Sequence, residues 1–166
     1  MTMKVSYYID APVETVFDYF KDPASDDGLG VEVLEAKMTK EGIGTYLTWR
    51  VKVAGIPVWH GMDVFTDLVP NKHITEKSSS AMVGTWEYTF EPEKTGTRLT
   101  MEHRPRSFWG LPPLANLIDY GTTRMSRVYI DRVRPRIEAN ARKAEAKVPG
   151  ARKPAASKPR KPVAAR

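Results

Sequence analysis

A chain of 166 residues with 41% hydrophobic content is sized for one domain around one core, and a cysteine count of 0 excludes a disulfide framework, a thiolate metal site and a thiol nucleophile. The formal charge of +6 is unevenly placed: nine Lys/Arg and one Glu fall in 141–166, against 17 basic and 19 acidic residues in 1–140. The body is close to neutral, so an argument for nucleic acid or anionic lipid attaches to the tail alone.

The first residues lack the long apolar run and small-residue cleavage site of a secretory signal, and no segment approaches the roughly 18 to 20 uncharged apolar residues that cross a bilayer. Cytoplasmic residence is the expectation. From Lys4 to Ile9, Val5, Tyr7 and Ile9 alternate as in a half-buried strand. Asp10-Ala11-Pro12 then supplies a helix start: an Asp cap, a Pro suited to the first turn, and Glu14 near the positive end of the dipole. Val13, Val16, Phe17 and Phe20 recur at helical spacing, and Lys21-Asp22-Pro23 ends the run. A second short helix is expected over 23–29, capped by Asp22 and terminated by Gly28 and Gly30.

Beyond Gly30 the texture is that of an antiparallel meander, with strands near 31–38, 44–53, 57–69, 72–79, 83–92 and 97–104. The breaks fall at Glu41-Gly42, Ala54-Gly55, Pro70-Asn71, Ala81 and Thr95-Gly96, most of them residues that tolerate turn dihedrals. With the first strand the sheet has seven, and it needs a cover on its apolar face. After Phe108-Trp109, an apolar stretch that can gate a cavity mouth or fix a helix entry, Pro112-Pro113 opens that cover. Leu114, Leu117, Ile118, Met125, Val128, Val133 and Ile137 repeat at three- and four-residue intervals, the pattern of a long amphipathic helix. Gly121 costs it about 1 kcal/mol against Ala, and Pro135 is expected to kink it or end its first part. After Val148-Pro149-Gly150 the sequence is almost wholly Ala, Lys, Arg and Pro, which cannot bury enough apolar area to offset chain entropy. Residues 1–142 are therefore expected to form the domain and 143–166 a disordered basic tail.

Ile9-Asp10-Ala11-Pro12-Val13-Glu14-Thr15-Val16-Phe17-Asp18, Asp22-Pro23, the bend at Pro70, Gly84-Thr85-Trp86-Glu87-Tyr88-Thr89-Phe90 and Gly96-Thr97-Arg98-Leu99-Thr100 together resemble the START-like (SRPBCC) superfamily, in its polyketide cyclase/dehydrase branch. The resemblance implies an α+β helix-grip fold: a seven-stranded curved antiparallel sheet wrapped around a long C-terminal helix, with two short helices between the first two strands. It also implies a cavity for lipids, polyketides or other apolar molecules. It does not imply a reaction, because one scaffold serves carriers, sensors and enzymes.

Strand alternation assigns the cavity wall. Leu47, Trp49 and Val51 form one inward set, and in the next long strand His60, Met62 and Val64 form the apolar parity, with Asp63 and Asp67 opposite. Trp86 and Tyr88, then Met101 and His103, share faces further on, and Leu117, Tyr120, Gly121 and Met125 are the helix residues expected to face the ligand. His60 and His103 are the sharpest proton-transfer candidates, with Glu76 next. His60, His73 and His103 lack the spacing of a metal site, and no phosphate-cradling loop opens a helix, so no metal and no cofactor is expected. The sequence thus points to a carrier or sensor of a small hydrophobic or amphipathic molecule. The alternative is a polyketide aromatase/cyclase or dehydratase using His60, His103 or Glu76. The tail, without aromatics for stacking, offers only nonspecific binding to an anionic partner such as nucleic acid or a membrane surface. Oligomeric state is left open.

Overall fold

The computed structural model describes residues 3–25, 31–79, 84–105 and 112–146; at 53, 58, 59, 112–119 and 122 it describes the backbone only. Seven strands and two helices follow in the order β1 (Met3–Ile9), α1 (Val13–Lys21), β2 (Glu32–Lys37), β3 (Tyr46–Val53), β4 (Ile56–Val69), β5 (His73–Ser78), β6 (Gly84–Glu93), β7 (Gly96–Pro105) and α2 (Pro112–Ala146). The strands form one antiparallel sheet in the order β1-β7-β6-β5-β4-β3-β2. β2 to β7 are joined to their sequence neighbours as hairpins, whereas β1 pairs with the last strand. The segment holding α1 must therefore cross from one sheet edge to the other. This is the α+β helix-grip architecture that the resemblance implied.

Turn chemistry sets the register. Val53 pairs with Ile56 across Ala54-Gly55, both at positive φ (51° and 81°), as a two-residue hairpin with right-handed strand twist requires. The sheet's inner face is filled by alternate residues, Ile9 from β1, Ile74 from β5, Trp86 and Phe90 from β6, and Leu99 and Met101 from β7. On it sit Val16, Phe17 and Phe20 of α1 and Ile130, Val133 and Ile137 of α2. Burying each such side chain contributes about 1.5–3 kcal/mol. Phe17 and Phe20 meet Phe90 edge-on, with ring centroids 5.4 and 5.7 Å apart.

Several local expectations are corrected. Pro12, not Asp10, occupies the cap position of α1, with no side-chain cap bond. Asp10 instead holds the turn to β7, accepting from the Thr95 hydroxyl at 3.3 Å, while its backbone N–H donates to Glu138 Oε1 of α2 at 3.2 Å. Residues 23–25 form a turn, with the Ala24 amide donating to Asp22 Oδ1, and the remainder of the short helix expected at 23–29 lies outside the described residues, as does Phe108-Trp109. Pro135 does not end α2, which continues to Ala146, four residues past the expected domain end at 142. The rest of the tail lies outside the described residues. No described helix is long and apolar enough to cross a membrane.

The buried stripe of α2 is Ser126, Ile130, Val133, Ile137 and Ala141, at intervals of four, three, four and four. Met125 and Val128, read from the sequence as part of one stripe with Val133 and Ile137, are 52% and 45% exposed. One residue is about 100° of helix turn, so Met125 cannot share a face with Ser126. Of the described side chains, Ile130, Val133 and Ile137 pack on the sheet and Met125 and Val128 do not.

Candidate functional site

The pairing register shows which residues share the concave face. Leu47 and Trp49 of β3 sit opposite Asp63 and Gly61 of β4; Phe65 pairs with Glu76 of β5; Glu76 pairs with Trp86 of β6, and Trp86 with His103 of β7. Phe20, Asp22, Pro23, Ser25, Leu47, Phe65, Glu76, Tyr88 and Tyr129 line a pocket between this face, α1 and the middle of α2. Six of these nine residues are aromatic or aliphatic, and two carry carboxylates, Asp22 and Glu76; Tyr88 donates its hydroxyl to Glu76 Oε1 at 2.8 Å. The cavity volume is about 20 Å³, room for a water molecule or so and well below the hundreds of Å³ of a ligand pocket.

Of the expected wall residues, Leu47, Trp49, Val51, Trp86, Tyr88, Met101 and His103 fall on the inner parity, as does Glu76. His103 is fully buried, its ring 4.4 Å from that of Trp86 and tilted by 31°. His60, Met62 and Val64 do not join them. They pair with Arg50, Thr48 and Tyr46 on the outer face, and Met62 is 40% exposed. The cause is a bulge: Phe65 pairs with Glu76 and Asp67 with Thr75, leaving Thr66 as an extra residue that reverses the parity of β4. Leu68, beyond the bulge, packs against the core as the apolar alternation suggested, whereas before it the odd residues Asp63 and Phe65 face inward. Tyr120 and Met125 are exposed, and a Cβ at Gly121 would meet no atom within 4 Å, so the structure does not bring these three to the pocket. The side chain of Leu117 lies outside the described residues.

Sequence reasoning missed Phe20, Phe65 and Tyr129 as pocket residues, and Asp63 as an inward carboxyl. Trp49 Nε1 donates to Asp63 Oδ2 at 2.6 Å. Burial is the dominant influence on Asp63 and pushes its carboxyl above the ordinary aspartate range, opposed by the Ser78 hydroxyl, its register partner, and the Trp49 indole. Ser78 is near enough to favour the anion, yet Oδ1 is fully buried without a well-formed hydrogen bond. Among the described residues no three His, Cys, Asp or Glu side chains are grouped closely enough to hold a metal ion.

The sequence profile of the family described as "Polyketide cyclase / dehydrase and lipid transport" matches residues 1–143. The chain belongs to this family. Its members' described activities, cyclase or dehydrase chemistry and lipid transport, share hydrophobic molecules as substrate or cargo, and membership does not choose between them. No curated protein sequence matches the chain significantly. Among solved structures the fold recurs in protein Ms6760 from Mycobacterium smegmatis, with 18% identity, 84% of this chain and 92% of that chain covered, and a TM-score of 0.67. It recurs in the Zhui aromatase/cyclase from Streptomyces sp. R1128, with 18% identity, 87% and 97% covered, and a TM-score of 0.63. The Aha1 dimer from Colwellia psychrerythraea is similar at 13% identity, with 83% and 96% covered and a TM-score of 0.55. At such identities the likeness is one of fold alone, and one fold carries differently named proteins.

Proposed function

We propose that the chain binds a small hydrophobic or amphipathic molecule between the concave sheet face and α2, as a carrier or sensor. The observation that carries the reading is Glu76, placed with its Tyr88 partner in a pocket walled by Phe20, Leu47, Phe65 and Tyr129, with Asp22, Pro23 and Ser25 on its α1 side. A closed core of this size would be filled by an apolar residue at that point. A carboxylate with a phenol donor there serves to orient the polar end of a guest. The small cavity means that a guest must displace part of the cover. The stretch 120–125 of α2 is where this is least costly, because Tyr120, Arg124 and Met125 are exposed.

Native mass spectrometry of the purified full chain, with organic extraction of any co-purifying molecule, tests this. A bound apolar compound, released or weakened by Glu76→Gln, is the expected result. An empty protein whose melting temperature is unmoved by fatty acids, sterols and aromatic polyketides overturns it.

The enzyme reading keeps one geometric support. Glu76 and His103 lie one strand either side of Trp86 on the same face, which at 4.7–4.9 Å per strand places them about 10 Å apart. That backbone span suits acid and base groups acting at two points of one ligand. His60, on the outer face, has no place in such chemistry. Loss of cyclisation or dehydration turnover in both Glu76→Gln and His103→Gln, with ligand still bound, would establish it.

A further inference from the structure

Trp49, Asp63 and Ser78 occupy three adjacent strands of the concave face, and Asp63 stands between Leu47 and Ser78 in the register, one inward position from Phe65. Leu47 and Phe65 both line the pocket. One oxygen of the carboxyl accepts from the Trp49 indole at 2.6 Å; the other is sealed from solvent, with the Ser78 hydroxyl near it but no well-formed hydrogen bond. Such a group costs on the order of 1–3 kcal/mol of desolvation unless something supplies a donor. An apolar residue would fill the same place without that cost.

We infer that Asp63 Oδ1 is a second polar anchor of the cavity, which accepts a hydrogen bond from a hydroxyl on an otherwise apolar ligand. The inference rests on the ligand-binding reading above and narrows it to a chemical class: hydroxylated apolar molecules over their hydroxyl-free or capped counterparts. Glu76 lies two residues from Ser78 along β5, which makes it the diagonal neighbour of Asp63, about 7–8 Å away between backbones. A ligand with two hydrogen-bonding groups on one edge can meet both carboxyls. The Trp49 indole fixes the Asp63 carboxyl in one orientation, so Oδ1 is held without further loss of rotamer freedom.

The test uses the full chain and two probes of nearly equal size, 2-naphthol, which has a donor hydroxyl, and 2-methoxynaphthalene, which has none. Affinities are measured by calorimetric or fluorescence titration on the wild type and on Asp63→Asn, whose folding is checked by circular dichroism. The expected result is tighter binding of 2-naphthol by about tenfold in the wild type, the size of one hydrogen bond, and loss of most of that preference in D63N with methoxy-probe affinity unchanged. Equal affinity of the wild type for both probes overturns the anchor while leaving the cavity intact, and decides the matter even if D63N fails to fold. A preference that persists in folded D63N also overturns it. Failure of the wild type to bind either probe overturns the cavity reading and this one with it.

Discussion

Gly84 on β6 lies against His103 on β7 so closely that a Cβ at position 84 would stand 2.5 Å from His103 Nε2 and 2.7 Å from the Arg104 carbonyl oxygen. The missing side chain is what lets the imidazole lie flat beside Trp86 on the inner face. Gly84→Ala must move either the ring or the strand backbone, and overpacking of this kind costs about 1–3 kcal/mol. Thermal unfolding should show a clearly lowered melting temperature, and an unchanged one would mean that His103 repositions freely.

The two histidines that sequence treats alike should separate on mutation. His103→Ala removes a fully buried ring tilted against Trp86 and should cost about 2–4 kcal/mol. His60→Ala, on the exposed outer face beside Arg50, should stay within about 0.5 kcal/mol and leave ligand binding unaltered. Urea titrations of both variants decide this, and a loss of binding in His60→Ala would contradict the face assignment.

Deletion of Thr66 removes the extra residue of the β4 bulge. Phe65 then becomes the chain neighbour of Asp67 and still meets Glu76, with Asp63 still opposite Ser78, so the cross-strand partners and faces are kept and only the local bend of the bulge is lost. The expected outcome is a variant that keeps its amide dispersion and a cooperative thermal transition at a lowered midpoint. Loss of the cooperative fold would show that the bulge itself, and not the pairing on either side of it, holds the register.

Two carboxyls should shape acid stability in opposite directions. Glu32 is held at about 2 chiefly by hydrogen bonds from Arg50 and Lys52, so its contribution is present above the ordinary glutamate range and is lost as pH falls toward that value. Asp63 is raised by burial, so the native state keeps its proton longer than the unfolded chain does. Its effect on stability therefore declines as pH rises from the ordinary aspartate range through the raised folded value. Subtracting the stability curve of D63N from that of the wild type should leave a downward slope in that window, and a flat difference would contradict burial as the cause.

Much of the architecture was legible because local signals agreed. Ala54-Gly55 marked a hairpin, Val16, Phe17 and Phe20 one face of α1, and the alternation Trp86, Tyr88, Phe90 one face of β6. The site was half legible for the same reason: Leu47, Trp49, Glu76, Tyr88 and His103 sit on strands whose parity never breaks along the cavity. His60, Met62 and Val64 were misplaced because a bulge carries no residue signature as plain as a turn; Thr66 is an ordinary strand residue, and only its lack of a partner in β5 betrays it. On α2 the apolar spacing is real in two phases, and Ile130, Val133 and Ile137 prevailed over Met125 and Val128 where the sheet offered a complementary surface. Asp63 escaped notice because charge normally argues for the outer face.

The central claim is that a guest enters between the concave sheet face and α2. Backbone amide spectra recorded while 2-naphthol is titrated into the labelled full chain test it most directly. The account predicts saturable shifts at Leu47, Phe65, Glu76, Tyr88 and Tyr129, with Thr48, His60, Met62 and Val64 left in place. Shifts confined to that outer set, or none at concentrations that saturate ordinary apolar sites, would contradict it.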